Sequence, residues 1–266
     1  MAVQQSTVQV GDIRLNVAQC GTGRPLLLVH GFPLDHQMWA GQLSGPVGSH
    51  RLIAPDLRGF GKSSVTMGAV TMEQYADDLA LLLDTLGVGE PVTFCGLSMG
   101  GYIAWQFAQK YRQRLARLVL CDTRSVADSQ EAAEGRQKTA DKALQEGPEF
   151  LADSMLPKLF APSSHAYVAS TVAQTRQIIL QTPREGIAAA LRGMAVRPDV
   201  TALLPTLDVP TLVICGEHDA IAPPAEMRQI ALAIPNATYV EIPAAGHMAP
   251  LEQPAAVNAA LLHFLP

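Results

Sequence analysis

The sequence predicts an α/β fold in which helices cover both faces of a mostly parallel sheet. Two observations predict it. Short, unbroken apolar runs such as Pro25-Leu26-Leu27-Leu28-Val29 and Pro91-Val92-Thr93-Phe94-Cys95 suit strands buried on both faces. Between such runs apolar residues recur every three or four positions, as on amphipathic helices, and the two patterns alternate along the chain.

Taken in order, Thr7 to Val10 and Ile13 to Ala18 read as two strands joined at the tight-turn pair Gly11-Asp12. The run from Pro25 to Val29 stops abruptly at His30-Gly31, and Arg51-Leu52-Ile53-Ala54 stops at Pro55-Asp56. Met72, Tyr75, Ala76, Leu79, Leu82, Leu83 and Leu86 form a helical stripe that Gly87 and Gly89 close. A strand from Pro91 to Cys95, a helix from Met99 to Tyr111 and a strand from Leu115 to Cys121 follow. After position 205 the rhythm resumes. A strand from Thr211 to Cys215, a helix from Ala225 to Ile234, a strand from Tyr239 to Ile242 and a helix from Pro254 to Phe264 close the chain.

Residues 124–205 break that alternation. They hold helical stretches punctuated by Pro148, Pro157, Pro162, Pro183 and Pro198, with Leu, Ile, Met and Phe spread throughout, and lack a convincing buried strand. A stretch of that length with apolar residues reads as a folded helical cap inserted in a core domain made of residues 1–123 and 206–266.

Composition sets the outer bounds. With 266 residues, 48% of them hydrophobic, the chain can bury a sizeable core and is not a disordered segment. A net charge of -5 gives no basic footprint for nucleic acid and suits a small-molecule partner. No apolar run approaches the roughly 18 residues of a membrane span, and the start lacks the basic-then-apolar order of a secretory signal. Of Cys20, Cys95, Cys121 and Cys215, three sit in or at the end of apolar runs, where a free thiol acts as a small hydrophobe. A cytoplasmic protein without disulfides is therefore expected. No metal or organic cofactor is expected either, because no His, Cys and acidic residues cluster at ligand spacing. Nothing in these residues reports an oligomeric state.

Gly96-Leu97-Ser98-Met99-Gly100 fits G-x-S-x-G, directly after a buried strand and directly before a helix. A turn sharp enough to expose the Ser98 hydroxyl brings backbones close together, which flanking glycines tolerate. A serine nucleophile needs donors for the oxygen that becomes negative. The N–H of Met99 is one, and the N–H of Phe32, in His30-Gly31-Phe32-Pro33, is the other, since Pro33 has none. His247, in the loop after the last strand, has the best claim among the histidines to act as base. Asp219, just past the preceding strand, is the expected orienting acid, and Asp122, which also ends a strand, is its rival. Glu217 and His218 read as loop-shaping or solvated neighbours.

His30-Gly31-Phe32-Pro33, Asp56-Leu57-Arg58-Gly59-Phe60-Gly61-Lys62-Ser63, Gly96 to Gly101, Gly216-Glu217-His218-Asp219 and Gly246-His247 together resemble the α/β-hydrolase superfamily. Within it the chain is similar to small esterases, 3-oxoadipate enol-lactonases and cofactor-free haloperoxidase or perhydrolase-like members. The resemblance implies an eight-stranded sheet, a helical cap over the serine, and a Ser98, Asp219, His247 chain order. The segment from Asp56 to Ser64 is then a structural turn beside the site. A serine at the elbow separates the chain from haloalkane dehalogenases and epoxide hydrolases, which place an aspartate there. The short Phe32-Pro33 loop separates it from the carbon–carbon bond hydrolases. Leu57-Arg58-Gly59-Phe60-Gly61 departs from the Thr-Arg-Gly-His-Gly common in enol-lactonases.

The activity implied is hydrolysis of small carboxylic esters through an acyl-enzyme. A lactonase of the 3-oxoadipate enol-lactonase type uses the same machinery, with Arg124 or Arg192 as a cation for a substrate carboxylate. Perhydrolysis uses the same acyl-enzyme. A slow or non-catalytic ligand receptor on the same fold is the reading from another class. Trp105, Met155, Phe160 and Met194 are the candidates to line an acyl pocket.

Overall fold

The computed structural model describes residues 2–45 and 49–266. In chain order the first half holds β1 (Gln4–Val10), β2 (Ile13–Cys20), β3 (Arg24–Val29), α1 (Ala40–Ser44), β4 (His50–Pro55) and α2 (Met72–Thr85). β5 (Val92–Leu97), α3 (Met99–Lys110) and β6 (Leu115–Cys121) follow. Five helices come next: α4 (Gln130–Glu146), α5 (Glu149–Leu159), α6 (Ser164–Tyr167), α7 (Ala169–Gln181) and α8 (Arg184–Ala195). The chain then returns through β7 (Thr211–Gly216), α9 (Pro224–Ala233), β8 (Ala237–Ile242), α10 (Ala249–Glu252) and α11 (Pro254–Phe264).

The strands form one eight-stranded sheet in the order β1-β2-β4-β3-β5-β6-β7-β8. β2 runs antiparallel to β1 and β4, and β4, β3 and β5 to β8 pair in parallel. Side chains alternate between the faces, as strand geometry requires. Leu27, Phe94, Leu118 and Val213 join Leu79 of α2, Ile103 of α3 and Met227 of α9 in one apolar layer. Leu26, Cys95, Val119 and Ile214 join Leu43 of α1 and Val257 and Leu261 of α11 in the other. The α/β architecture and the mostly parallel sheet expected from the sequence are thus present. α1 and α10 are additions: at five and four residues they are too short to show a helical period.

Parallel pairing puts the C-terminal ends of β3, β5, β6, β7 and β8 along one edge. The loops that leave that edge carry His30–Pro33, Ser98, Asp122, Asp219 and His247. The crevice beyond the carboxyl ends of parallel strands is where open α/β sheets bind ligands.

The inserted helices reach the core through α8. A Cβ on Gly186 would collide with the Gly59 carbonyl, so only glycine allows this helix to sit so close to the turn after β4. The Val70 N–H donates to the Ala189 carbonyl at 3.0 Å beside it. Among the described residues no helix is long and apolar enough to cross a membrane, and all four cysteines are free.

Candidate active site

β5 runs directly into Ser98, whose φ of 53° and ψ of -111° lie where side-chain-bearing residues rarely sit. Such a conformation costs of order 1–3 kcal/mol and persists only where neighbours enforce it. The neighbours are explicit. The Ser98 N–H donates to the Cys121 carbonyl at 2.9 Å, and the Thr123 hydroxyl donates to the Ser98 carbonyl at 2.8 Å. A Cβ on Gly100 would strike the Val29 carbonyl oxygen, so the first turn of α3 can lie against β3 only as glycine.

The loop after β3 lies against this turn. A Cβ placed on Gly31 would stand 2.9 Å from Leu97 Cδ2 and 3.3 Å from Ser98 Cβ. His30 anchors the loop: its Nε2 accepts from the Leu57 N–H at 2.9 Å, so Nδ1 carries the proton and donates to the Gly31 carbonyl at 3.0 Å. Burial holds the His30 pKa below the ordinary histidine value, which keeps the ring neutral. Phe32 is buried, edge-on to Phe60 at 6.2 Å. Met99 opens α3, where a backbone N–H has no partner within the helix. The segments carrying Phe32 and Met99 thus meet beside Ser98.

His247 and Asp219 are both buried, with His247 Nδ1 2.8 Å from Asp219 Oδ2. Asp219 Oδ1 accepts the Ile221 and Ala222 N–H groups at 2.7 and 3.0 Å. Burial alone would raise the Asp219 pKa, but the charge and hydrogen bond of His247 and those two amides hold it below the usual value. Asp219 is therefore a carboxylate, which makes His247 Nδ1 the donor in their hydrogen bond. The rival acid, Asp122, accepts the Gly216 N–H at 2.8 Å instead. Asp122, Asp219 and His247 nonetheless lie within 4.8 Å of one another. Ser98 is hydrogen-bonded to the residues on either side of Asp122, which brings the serine turn to the same spot.

Glu252 was not singled out in the sequence, yet it holds the histidine loop. Its Oε1 accepts the N–H groups of Gly246 and Met248, the residues flanking His247, at 2.8 and 3.2 Å. Its Oε2 accepts the Ala161 N–H at 2.8 Å and the Ser164 hydroxyl at 2.6 Å, both in the inserted segment. One buried carboxylate thus ties that segment to the loop of His247. The available signal was an acid at the end of the apolar run Met248-Ala249-Pro250-Leu251.

The remaining candidates are spread out. Phe160 lies at the histidine loop, since a Cβ on Gly246 would stand 2.8 Å from the Phe160 carbonyl carbon. Met155 is half-buried and touches both apolar layers. Met194 is buried on α8, with its sulfur 3.6 Å from an Arg136 nitrogen of α4. Trp105 is buried on α3 and donates from Nε1 to the Arg124 carbonyl at 2.9 Å. Arg124 pairs with Glu226 and Arg192 with Asp141, each at 2.8 Å. Glu217 accepts the Ala244 N–H at 2.9 Å, whereas His218 is exposed.

Two groups of acids and histidine could geometrically hold a cation among the described residues: Asp122, Asp219 and His247, and Asp35, His36 and Asp56. Both are knit by internal hydrogen bonds. Asp56 accepts from the Asn16 side chain, from the backbone N–H and Nδ1 of His36 and from the Lys62 N–H at 2.6–3.0 Å, and so closes the turn that follows β4.

A family profile for the α/β hydrolase fold matches residues 24–254. The chain is 48% identical to a solved thermophilic esterase from Thermogutta terrifontis, with a TM-score of 0.96 over 98% of both chains. It is 32% identical to the enol-lactonase from Burkholderia xenovorans LB400, with a TM-score of 0.90 over 98% of this chain and 99% of that one. It also shares 27% identity with 3-oxoadipate enol-lactonase 2 of Acinetobacter baylyi, over 97% of this chain and 95% of the relative.

Proposed function

The chain belongs to the α/β-hydrolase family, and from that premise we propose that it hydrolyses small carboxylic esters through Ser98, His247 and Asp219. The observation that carries this reading is the buried His247–Asp219 hydrogen bond of 2.8 Å, formed where the strained Ser98 turn meets the ends of β6, β7 and β8. His247 Nε2 takes the Ser98 proton as Oγ attacks the acyl carbon, and Asp219 stabilises the imidazolium. The N–H groups of Phe32 and Met99 receive the oxyanion. His247 then protonates the leaving alkoxide, and water attacks the acyl-enzyme by the same route. No metal or organic cofactor is needed for this sequence. Residues 124–205 act as a cap, with Phe160 and Met155 facing the acyl group, Met194 packed within the cap on α8, and Trp105 of α3 hydrogen-bonded to the cap's first residue, Arg124.

A second reading, lactone hydrolysis, is supported by the likeness to the Burkholderia enol-lactonase. An acidic lactone calls for a pocket cation, however, and Arg124 and Arg192 are each engaged by a carboxylate. A neutral ester is the better fit.

Steady-state hydrolysis of short and medium p-nitrophenyl esters tests the reading, beside Ser98→Ala protein. Wild type should turn over many times, and the variant should lose about 10⁴-fold or more in kcat. Equal rates for the two proteins would refute the serine mechanism. Weak ester turnover beside rapid, Ser98-dependent opening of enol-lactones would instead favour the second reading.

A further inference from the structure

Among the described residues, three non-glycine residues have a left-handed backbone: Ser98, Asp122 and Ala244. They follow β5, β6 and β8, so strain of this kind is concentrated at the one edge where the candidate site lies. Ser98 carries the proposed nucleophile and Ala244 opens the turn to His247. Asp122 has the same conformation and no part in the reaction described above.

Its surroundings are unusual for a carboxylate. Asp122 is completely buried, and its Oδ1 is satisfied by the Gly216 N–H at 2.8 Å. Its Oδ2 is sealed from solvent and receives no hydrogen bond. An anion left that way forfeits several kcal/mol of hydration. Yet Asp122 has a carboxylate oxygen within 4.8 Å of one on a second buried acid, Asp219. The titratable groups around Asp122 are the thiols of Cys121 on β6 and Cys215 on β7, Asp219 after β7 and His247 after β8. Hydrogen bonding to Cys95 and burial keep the Cys121 thiol protonated, and burial does so for Cys215. The His247 ring already hydrogen-bonds Asp219 through Nδ1 at 2.8 Å.

Two buried carboxyl groups within 4.8 Å of each other, with one histidine near both, strongly disfavour ionisation of both. The split falls clearly: amides and His247 favour the charged form of Asp219, whereas burial first and the Asp219 charge second push the Asp122 pKa well up.

We infer that Asp122 is held as the neutral acid and donates a hydrogen bond from Oδ2 to the Asp219 carboxylate, making it a positioning residue that sets the basicity of His247. The proton gives the orphaned oxygen a partner and turns a repulsive contact into an attractive one. The bond also spreads the Asp219 charge, so His247 feels less of it. The kinetic part of this inference rests on the serine-hydrolase reading, but the protonation state does not.

The test uses the full chain with Asp122→Asn and Asp122→Ala. Infrared difference spectra of wild type against Asp122→Asn at neutral pH should show the carbonyl band of a protonated carboxyl group in wild type alone. Absence of that band overturns the inference, even in a protein with no esterase turnover. In the pH profile of kcat/KM, Asp122→Asn keeps a neutral donor, so its acid limb should stay at the wild-type position whatever its kcat. Asp122→Ala removes the donor, and its limb should move up by about half a unit or more. A limb in Asp122→Asn displaced downward by about one unit would mean that Asp122 is an anion in wild type. A limb in Asp122→Ala left in place would reduce it to packing. Should Asp122→Ala fail to fold, the spectrum and the Asn profile still decide.

Discussion

α3 and α4 are both amphipathic, but they sit in different parts of the molecule and bury very different shares of themselves. α3, packed on the sheet, buries nine of its 12 residues, including Ile103, Trp105 and Phe107. α4, in the inserted segment, buries only Ala140 and Ala143 of its 17 and packs chiefly on α8. α7 is similar, with Thr175 and Ile179 its only buried residues, and packs on α5. The sheet and its covering helices therefore carry the stability. The inserted segment is tied to the core by the close seat of α8, the Glu252 bonds to 161 and 164, the Met248 N–H on the Leu159 carbonyl at 3.0 Å and the Thr182 hydroxyl on the Pro33 carbonyl at 2.9 Å. Helices such as α4 and α7, which bury so little of themselves, can shift at small cost to the sheet.

The largest effect should come from the sheet. Phe94 is fully buried in β5 and stacks on Phe107 at 5.2 Å, so Phe94→Ala should cost about 3–5 kcal/mol in denaturant unfolding. Met155→Ala, half-buried in α5, should cost about 1 kcal/mol and act mainly on the preferred acyl chain length. If the two variants lost equal stability, the contrast between rigid core and loosely held layer would fail.

Glu252→Gln probes the junction itself. Its four hydrogen bonds all come from N–H or O–H donors. An amide NH₂ cannot accept, so the variant loses the bonds on one side. His247 would be less firmly held, and kcat for ester hydrolysis should fall about ten- to hundredfold with little loss of fold. Unchanged kcat with normal melting would show that His247 is positioned without this carboxylate.

Much of the sheet was legible because its signals are local. The runs at 25–29, 91–95 and 115–121 lie within β3, β5 and β6 to within a residue or two, since strands largely buried on both faces leave few polar positions, here Thr93 and Arg117, to confuse the reading. The strand–turn–helix setting of Ser98 was legible from its turn residues, and the positions of Asp219 and His247 after β7 and β8 from the strand pattern. What escaped depends on tertiary contact. Glu252 is one acid at the end of a four-residue helix, and its partners lie up to 91 residues away. Asp122 could be seen to end a strand, but its orphaned oxygen and its nearness to Asp219 exist only once β6 and β7 are side by side. Trp105 and Met194 are aromatic and apolar, a character that suits a pocket wall and a packed core alike.

The smallest predicted effect lies at the boundary between the two regions. His36 and Asp56 form a buried pair at 2.6 Å beside a cavity of about 170 Å³ that Ile178, Gln181 and Thr182 of the inserted segment help to line. Burial disfavours the His36 cation, but the hydrogen bond and charge of Asp56 outweigh it and raise the His36 pKa. Burial likewise opposes the Asp56 anion, and His36 with the amides of Lys62 and His36 overcomes it and lowers the Asp56 pKa. The raised His36 value stabilises the fold fully below about pH 6.5, a gain lost as pH rises through the folded value. The lowered Asp56 value stabilises it fully above roughly pH 4, a gain lost as pH falls through its folded value. The stability advantage of wild type over His36→Gln should therefore peak between those limits, at about 1 kcal/mol once solvent screening is allowed for. Urea titrations from acid to alkaline pH would show that maximum. A constant difference across the range would mean that the pair is held by packing alone, and that charge contributes nothing where the inserted helices meet the core.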